Sequence, residues 1–216
     1  MVAPVTPRER LQDAQLYLVC DARPRTFLDD CLRGGVELVQ LRDGTLDDQS
    51  VIEAARPFRA AADAHGALFI LNDRPDLVEA CGADGVHVGQ EDATPAEARA
   101  IVGPDRIVGR STHAPEQADA ALADPDVDYL SIGPVHETPT KPGRPAAGLT
   151  YVEYAAHAVG QSKPWFAIGG LDEDNLEAVL ERGARRVVVV RALTESPDPP
   201  ASARALRAAL EVPVGA

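Results

Sequence analysis

The chain has 216 residues, of which 45% are hydrophobic and 4% aromatic, and its net charge at neutral pH is -13. That length allows one large core, and the acidic balance excludes nucleic acid or an anionic membrane surface as the main partner, because both demand a dominant basic face. No apolar run approaches the roughly 18 residues of a membrane helix. The opening stretch MVAPVTPRERLQDAQ lacks the apolar centre of a signal peptide, so a cytoplasmic protein is expected, with a loose N-terminal segment at about 1–14.

Read in chain order, short β-branched runs alternate with longer stretches whose apolar residues recur at helical spacing. Strands are expected at 16–20, 36–41, 68–71, 85–88, 106–109, 129–132, 165–168 and 186–190. Helices are expected between them at 25–33, 46–65, 75–81, 95–102, 115–123, 149–159 and 172–182, with a last one at 201–210. Thr94 and Asp172 stand where N-caps belong, and prolines open several of these helices. Strict strand–helix alternation implies a parallel sheet, and eight such units imply a single-domain α/β fold, the (β/α)8 TIM barrel. An open dinucleotide-binding sheet is the competitor, but Asp21-Ala22-Arg23-Pro24 follows the first strand where a GxGxxG would be needed. Cys20, Cys31 and Cys81 match no zinc or CxxC spacing and read as small, buried, reduced residues.

In such a barrel, chemistry gathers where the C-terminal ends of the strands meet their loops. Gln40 and Arg42 follow strand two, Asn72 and Asp73 strand three, and Gln90, Glu91 and Asp92 strand four. Strand five ends in Arg110, Ser111, Thr112 and His113. Asp73 alone would read as a helix cap, but Asp73 and Asp92 end neighbouring strands, and two carboxylates facing one rim call for a cation. Magnesium held by one or two carboxylates plus substrate phosphate oxygens is the usual solution. After strand six comes a loop with Thr138, Thr140, Lys141 and Arg144 among prolines and glycines, a composition suited to holding a phosphate. Gly169-Gly170 and the turn at Val190-Arg191 fall where barrels commonly bind a second phosphate through backbone amides. His87, inside an apolar strand, reads as structural before catalytic; His113, beside Ser111, is evenly balanced. A serine hydrolase is a poor reading, since there is no GxSxG elbow and acyl chemistry would not call for the acid pair.

These residues carry a resemblance. LYLVCD (16–21), VQLRD (39–43), LNDRPDLV (71–78), GADGVHVGQED (82–92), IVGRSTH (107–113), GPVHETPTKPGRPAAGL (133–149), AIGGL (167–171) and VVVVRALTES (187–196), in this order, resemble the thiamine phosphate synthase family over nearly the whole chain. The resemblance implies a transferase of thiamine biosynthesis. It would join 4-amino-5-hydroxymethyl-2-methylpyrimidine diphosphate to 4-methyl-5-(2-hydroxyethyl)thiazole phosphate, giving thiamine phosphate and pyrophosphate. It also implies site roles. Gln40 and Arg42 would contact the pyrimidine substrate and its diphosphate, Asn72 the pyrimidine ring, and Ser111 and Lys141 the departing pyrophosphate. Arg42, Ser111 and Lys141 would thus be the catalytic set, with Mg²⁺ on Asp73 and Asp92. Thr138, Thr140, Gly170 and the amides after Val190, around Arg191, would receive the thiazole phosphate. Two positions depart from the family's pattern: Gly44 stands where many relatives carry Lys, and Arg191 where many carry Ser. A thiazole tautomerase on the same barrel, or a non-catalytic binder of thiazole phosphate, are the competing readings; the acid pair tells against the first.

Overall fold

Eight short runs of buried, mostly β-branched or leucine residues pair edge to edge in chain order and close on themselves as a parallel barrel: β1 (Leu16–Cys20), β2 (Leu38–Leu41), β3 (Leu68–Asn72), β4 (Gly85–Val88), β5 (Ile107–Thr112), β6 (Tyr129–Ile132), β7 (Trp165–Ile168) and β8 (Val187–Val189). The computed structural model describes residues 5–137 and 145–211. The helices are α1 (Pro7–Asp13), α2 (Arg25–Arg33), α3 (Asp48–His65), α4 (Val78–Cys81), α5 (Pro95–Val102), α6 (Pro115–Ala123), α7 (Gly148–Ala158), α8 (Leu176–Glu181), α9 (Arg191–Thr194) and α10 (Pro199–Glu211), with a 3-10 turn, Pro75–Leu77, leading into α4. The expected single-domain (β/α)8 barrel is therefore the observed one.

Alternation along the strands splits the core in two. Leu16, Leu18, Val39, Phe69, Leu71, Val86 and their like point outward and pack under the helices, together with Leu28, Phe58 and Val152. Tyr17, Leu38, Leu68, Ile70, Ile107, Tyr129, Phe166 and Val188 fill the barrel interior. The inward faces run from apolar to polar toward the C-terminal ends: Leu38 then Gln40 on β2, Gly85 then His87 on β4, Tyr129 then Ser131 on β6. This gradient puts the polar mouth at the same end as the converging loops.

From residue 5 onward the opening segment, expected to be loose, carries a capped helix. Thr6 caps α1 in a reciprocal box with Glu9, and Leu11 is fully buried in the interior cluster beside Ala14 and Tyr17, closing the N-terminal end of the barrel. Strand β5 extends to Thr112, past the expected 106–109, and so carries Ser111 into register with Ser131. The expected helix 172–182 is confined to α8, because the Asp172 carboxylate accepts the amides of Asp174 (3.1 Å) and Asn175 (3.2 Å) and holds a turn first. All three cysteines are free and buried. Burial pushes the Cys31 thiol up to about 12 and Cys20 higher still, so neither is a nucleophile at neutral pH.

The cap at Thr94 is as expected: its hydroxyl accepts the Glu97 amide (3.2 Å) while Glu97 accepts the Thr94 amide (2.8 Å), with Pro95 between. Thr94→Ala should cost about 1 kcal/mol, read as a lower urea midpoint with an unchanged m-value.

Candidate active site

A cavity of about 280 Å³ opens at the C-terminal end of the barrel. Its wall carries Gln40, Arg42, Asn72, Asp73, Ser111, Gly170, Val190 and Arg191, all expected from the sequence as site residues. Thr138, Thr140, Lys141 and Arg144 lie outside the described residues. Asp92 is not on the wall. Its side chain is exposed, and Oδ2 accepts the amide of Gly89, which is on the wall, at 2.9 Å.

Local backbone chemistry places these groups. Asp73 adopts a left-handed conformation, φ 58°, with its amide donating to the His87 carbonyl at 2.8 Å. It is therefore not a helix cap; Arg74 precedes the 3-10 turn instead. Left-handed backbone at a non-glycine residue is strained but best tolerated by Asp and Asn. The Asp73 carboxylate accepts from the Asn72 amide group at 2.5 Å. Arg110 lies behind the β4 loop, where its guanidinium donates to the Gly89 carbonyl at 2.5 Å, so it braces the loop and does not line the cavity. Burial lowers the Arg110 pKa, its largest influence. On the wall, Arg42 and Arg191 make no ion pair with any described residue, leaving two cations facing the opening.

Across the cavity floor, Gly169 has φ 115°, and a Cβ there would sit 2.6 Å from Pro134 Cα. Only glycine satisfies both the conformation and the space, so chain β6 to α7 and the turn after β7 press together under the mouth. His113 takes its place from the same packing, with Nδ1 at 2.6 Å from the Gly133 carbonyl.

The floor of the cavity is a polar chain that sequence reasoning missed. The Gln40 amide group donates to the Tyr17 hydroxyl; Tyr17 and Tyr129 hydroxyls lie 3.0 Å apart; His87 bonds Tyr129 through Nδ1 and Ser111 through Nε2, both at 2.9 Å. Tyr17 and Tyr129 are essentially without solvent exposure, and burial pushes both phenols well above their ordinary range. They therefore stay protonated. Space for the Tyr129 ring comes from its register partner Gly109, where a Cβ would lie 2.2 Å from the ring's Cζ. Glycine in the middle of β5 was the available signal, since a glycine inside a strand marks close approach of another group.

For two carboxylates to hold magnesium, hard oxygen donors with room for phosphate oxygens and water are needed. Asp73 on the wall and Asp92 beside Gly89 meet that requirement as donor types. Among the described residues no group of three or more metal-ligating side chains forms an all-protein cage. Asp73 and Asp92 are thus compatible in donor type with a hard cation.

Comparison with known proteins shows the family. The family described as thiamine monophosphate synthase matches residues 16–193. The chain is 55% identical over 200 residues to the thiamine-phosphate synthase of Thermus thermophilus, covering 89% of this chain and 95% of that one. It is 53% identical over 207 residues to the thiamine-phosphate synthase of Thermobifida fusca, covering 94% of each. Among solved structures, thiamine phosphate pyrophosphorylase from Pyrococcus furiosus superposes with a TM-score of 0.83 at 29% identity, over 94% of this chain and 97% of that one.

Proposed function

Because the chain belongs to the thiamine monophosphate synthase family, we propose that it transfers the pyrimidinylmethyl group of 4-amino-5-hydroxymethyl-2-methylpyrimidine diphosphate to the nitrogen of 4-methyl-5-(2-hydroxyethyl)thiazole phosphate. The products are thiamine phosphate and pyrophosphate. The observation that carries this reading is the wall of one cavity bearing Arg42, Asn72, Asp73, Ser111, Gly170 and Arg191 together.

The bond from the pyrimidine methylene carbon to the diphosphate oxygen breaks with its electron pair on oxygen, and the electron-rich aminopyrimidine stabilises the carbon cation that the thiazole nitrogen then captures. No side chain needs to act as a nucleophile. The work of the protein is to meet charge developing on the leaving group and to hold two reactants in register. Arg42, half-buried on the cavity wall and without an ion pair among the described residues, would serve the first task, and Ser111 and Lys141 would be further diphosphate contacts. Asp73 and Asp92 would hold Mg²⁺, which supplies charge neutralisation at the leaving diphosphate. Gln40 and Asn72 would orient the pyrimidine. Gly170, the amides after Val190, and Thr138 and Thr140 would receive the thiazole phosphate, with Arg191 adding a charge-assisted contact in place of the serine hydroxyl of relatives. No described helix is long and apolar enough to cross a membrane, and we place the enzyme in the cytoplasm.

Pyrophosphate release from the two substrates, with and without Mg²⁺, tests this reading. Release requiring both substrates and the metal is expected; a tautomerase or a non-catalytic phosphate binder would release none.

Position 44 offers a gain. A Cβ at Gly44 would meet nothing within 4 Å, and Arg42, two residues earlier, is on the cavity wall. Gly44→Lys should therefore fit without strain and raise single-turnover pyrophosphate release about fivefold, equivalent to roughly 1 kcal/mol from one more cation near the leaving group. An unchanged rate would mean that Arg42, Lys141 and the metal suffice.

A further inference from the structure

One direction of the hydrogen-bond chain on the barrel floor gives every proton in it an acceptor and suits both of its ends. At the inner end, the Gln40 amide nitrogen can only donate, so the Tyr17 hydroxyl accepts there. The proton of Tyr17 then goes to Tyr129, 3.0 Å away, and the proton of Tyr129 to His87 Nδ1, 2.9 Å away. A ring accepting at Nδ1 carries its proton on Nε2 and donates it to Ser111 Oγ at 2.9 Å. With its oxygen accepting from histidine, Ser111 has its own proton left to offer to the cavity it lines. At the outer end, a diphosphate oxygen accepts only and needs that proton. The opposite polarity would turn the serine proton onto His87 and aim lone pairs at the anion.

We propose that Tyr17, Tyr129 and His87 are positioning residues that fix the Ser111 hydroxyl as a donor into the mouth, with the polarity of the whole chain set by the Gln40 amide. This rests on the reading of Ser111 as a diphosphate contact. The geometry is rigidly held. Phe166 packs edge-on against Tyr17 and Tyr129 with ring centroids at 5.5 and 5.6 Å, and the His87 ring lies 5.4 Å from that of Tyr129. With Tyr17 and Tyr129 excluded from water, no solvent molecule can substitute for a missing donor at either phenol. In that low-dielectric interior each bond of the chain polarises the next.

The test reads the tautomer directly, in the enzyme without substrates. Nitrogen-15 NMR of the histidine-labelled protein, with His87 assigned by comparison with His87→Asn, should show a neutral ring protonated at Nε2. Gln40→Glu supplies an inner end that only accepts, and should move the proton to Nδ1. Tyr129→Phe removes the donor to Nδ1 and should give a mixture of tautomers, with single-turnover pyrophosphate release about tenfold slower, the worth of one hydrogen bond made in the transition state. Michaelis constants should move far less. A wild-type ring protonated at Nδ1, or doubly protonated, overturns the assigned polarity whatever the activity. A folded Tyr129→Phe at the wild-type rate overturns the positioning role. Should that variant not fold, the tautomer change in Gln40→Glu decides the question. If the tautomers behave as expected while Ser111→Ala releases pyrophosphate at the wild-type rate, the chain does not end on the diphosphate, and the proposal falls while the activity itself stands.

Discussion

Asp73→Asn and Asp92→Asn are each expected to slow pyrophosphate release on the order of 100-fold at limiting Mg²⁺, with the unfolding midpoint unchanged. The substitutions remove charge and keep shape. An asparagine at 73 tolerates the left-handed backbone, φ 58°, as well as aspartate does, and its side-chain oxygen still accepts from Asn72. An asparagine at 92 keeps an oxygen for the Gly89 amide. What is lost is a formal charge that a hard divalent cation requires, so the defect should shrink as Mg²⁺ is raised. The two positions also differ in place: Asp73 is on the cavity wall, whereas Asp92 is exposed and off the wall, bound to the Gly89 amide. Near wild-type rates at limiting metal in either folded variant would remove that residue from the proposed metal site.

Gly109→Ala should lower stability by about 3 kcal/mol, because overpacking a core that cannot yield is as damaging as a cavity. The added methyl would lie 2.2 Å from Tyr129 Cζ and 2.5 Å from its hydroxyl oxygen. Tyr129 has nowhere to withdraw, with Phe166 at 5.6 Å and Tyr17 at 6.1 Å between ring centroids on its other sides. Either the ring is expelled and the chain to Ser111 is cut, or β5 and β6 part. Urea unfolding measures the first quantity and single-turnover release the second. Tyr129→Phe, which loses the hydroxyl without the clash, separates them: it should slow release while keeping most of the stability. A Gly109→Ala protein with the wild-type midpoint would show that the floor is softer than its packing implies.

The eight strands were legible because strands of a parallel barrel are buried on both faces, which leaves continuous apolar runs such as Leu16–Cys20 and Trp165–Ile168. Their ends pointed to the mouth for the same reason, and Arg42, Asn72, Asp73 and Ser111 are indeed gathered there. Capping chemistry is equally local. TPAE at 94–97 marks a helix start, and TPRE at 6–9 carries the same box in a segment whose composition suggests none. There the decisive fact is Leu11 filling the end of the barrel, which no local pattern displays.

Other features existed only once the barrel closed. Arg110-Ser111-Thr112 fell beyond the expected strand 106–109, because polar residues at an inward strand end cannot be told from a turn until Ser111 is seen paired with Ser131. Asp92 was expected at the rim by strand position alone, but the turn after β4 spends one of its oxygens on the Gly89 amide. Alternation assigns Tyr17 and Tyr129 inward faces, yet it does not say that they meet. Their hydroxyls touch across the barrel from β1 to β6, and strand stagger around a closed sheet decides which inward residues share a level. By itself, the sequence determined the elements and the residue types at their ends, since both follow from near-neighbour chemistry; contacts between distant strands, and hence the chain from Gln40 to Ser111, depend on closure and register, which only the tertiary structure decides.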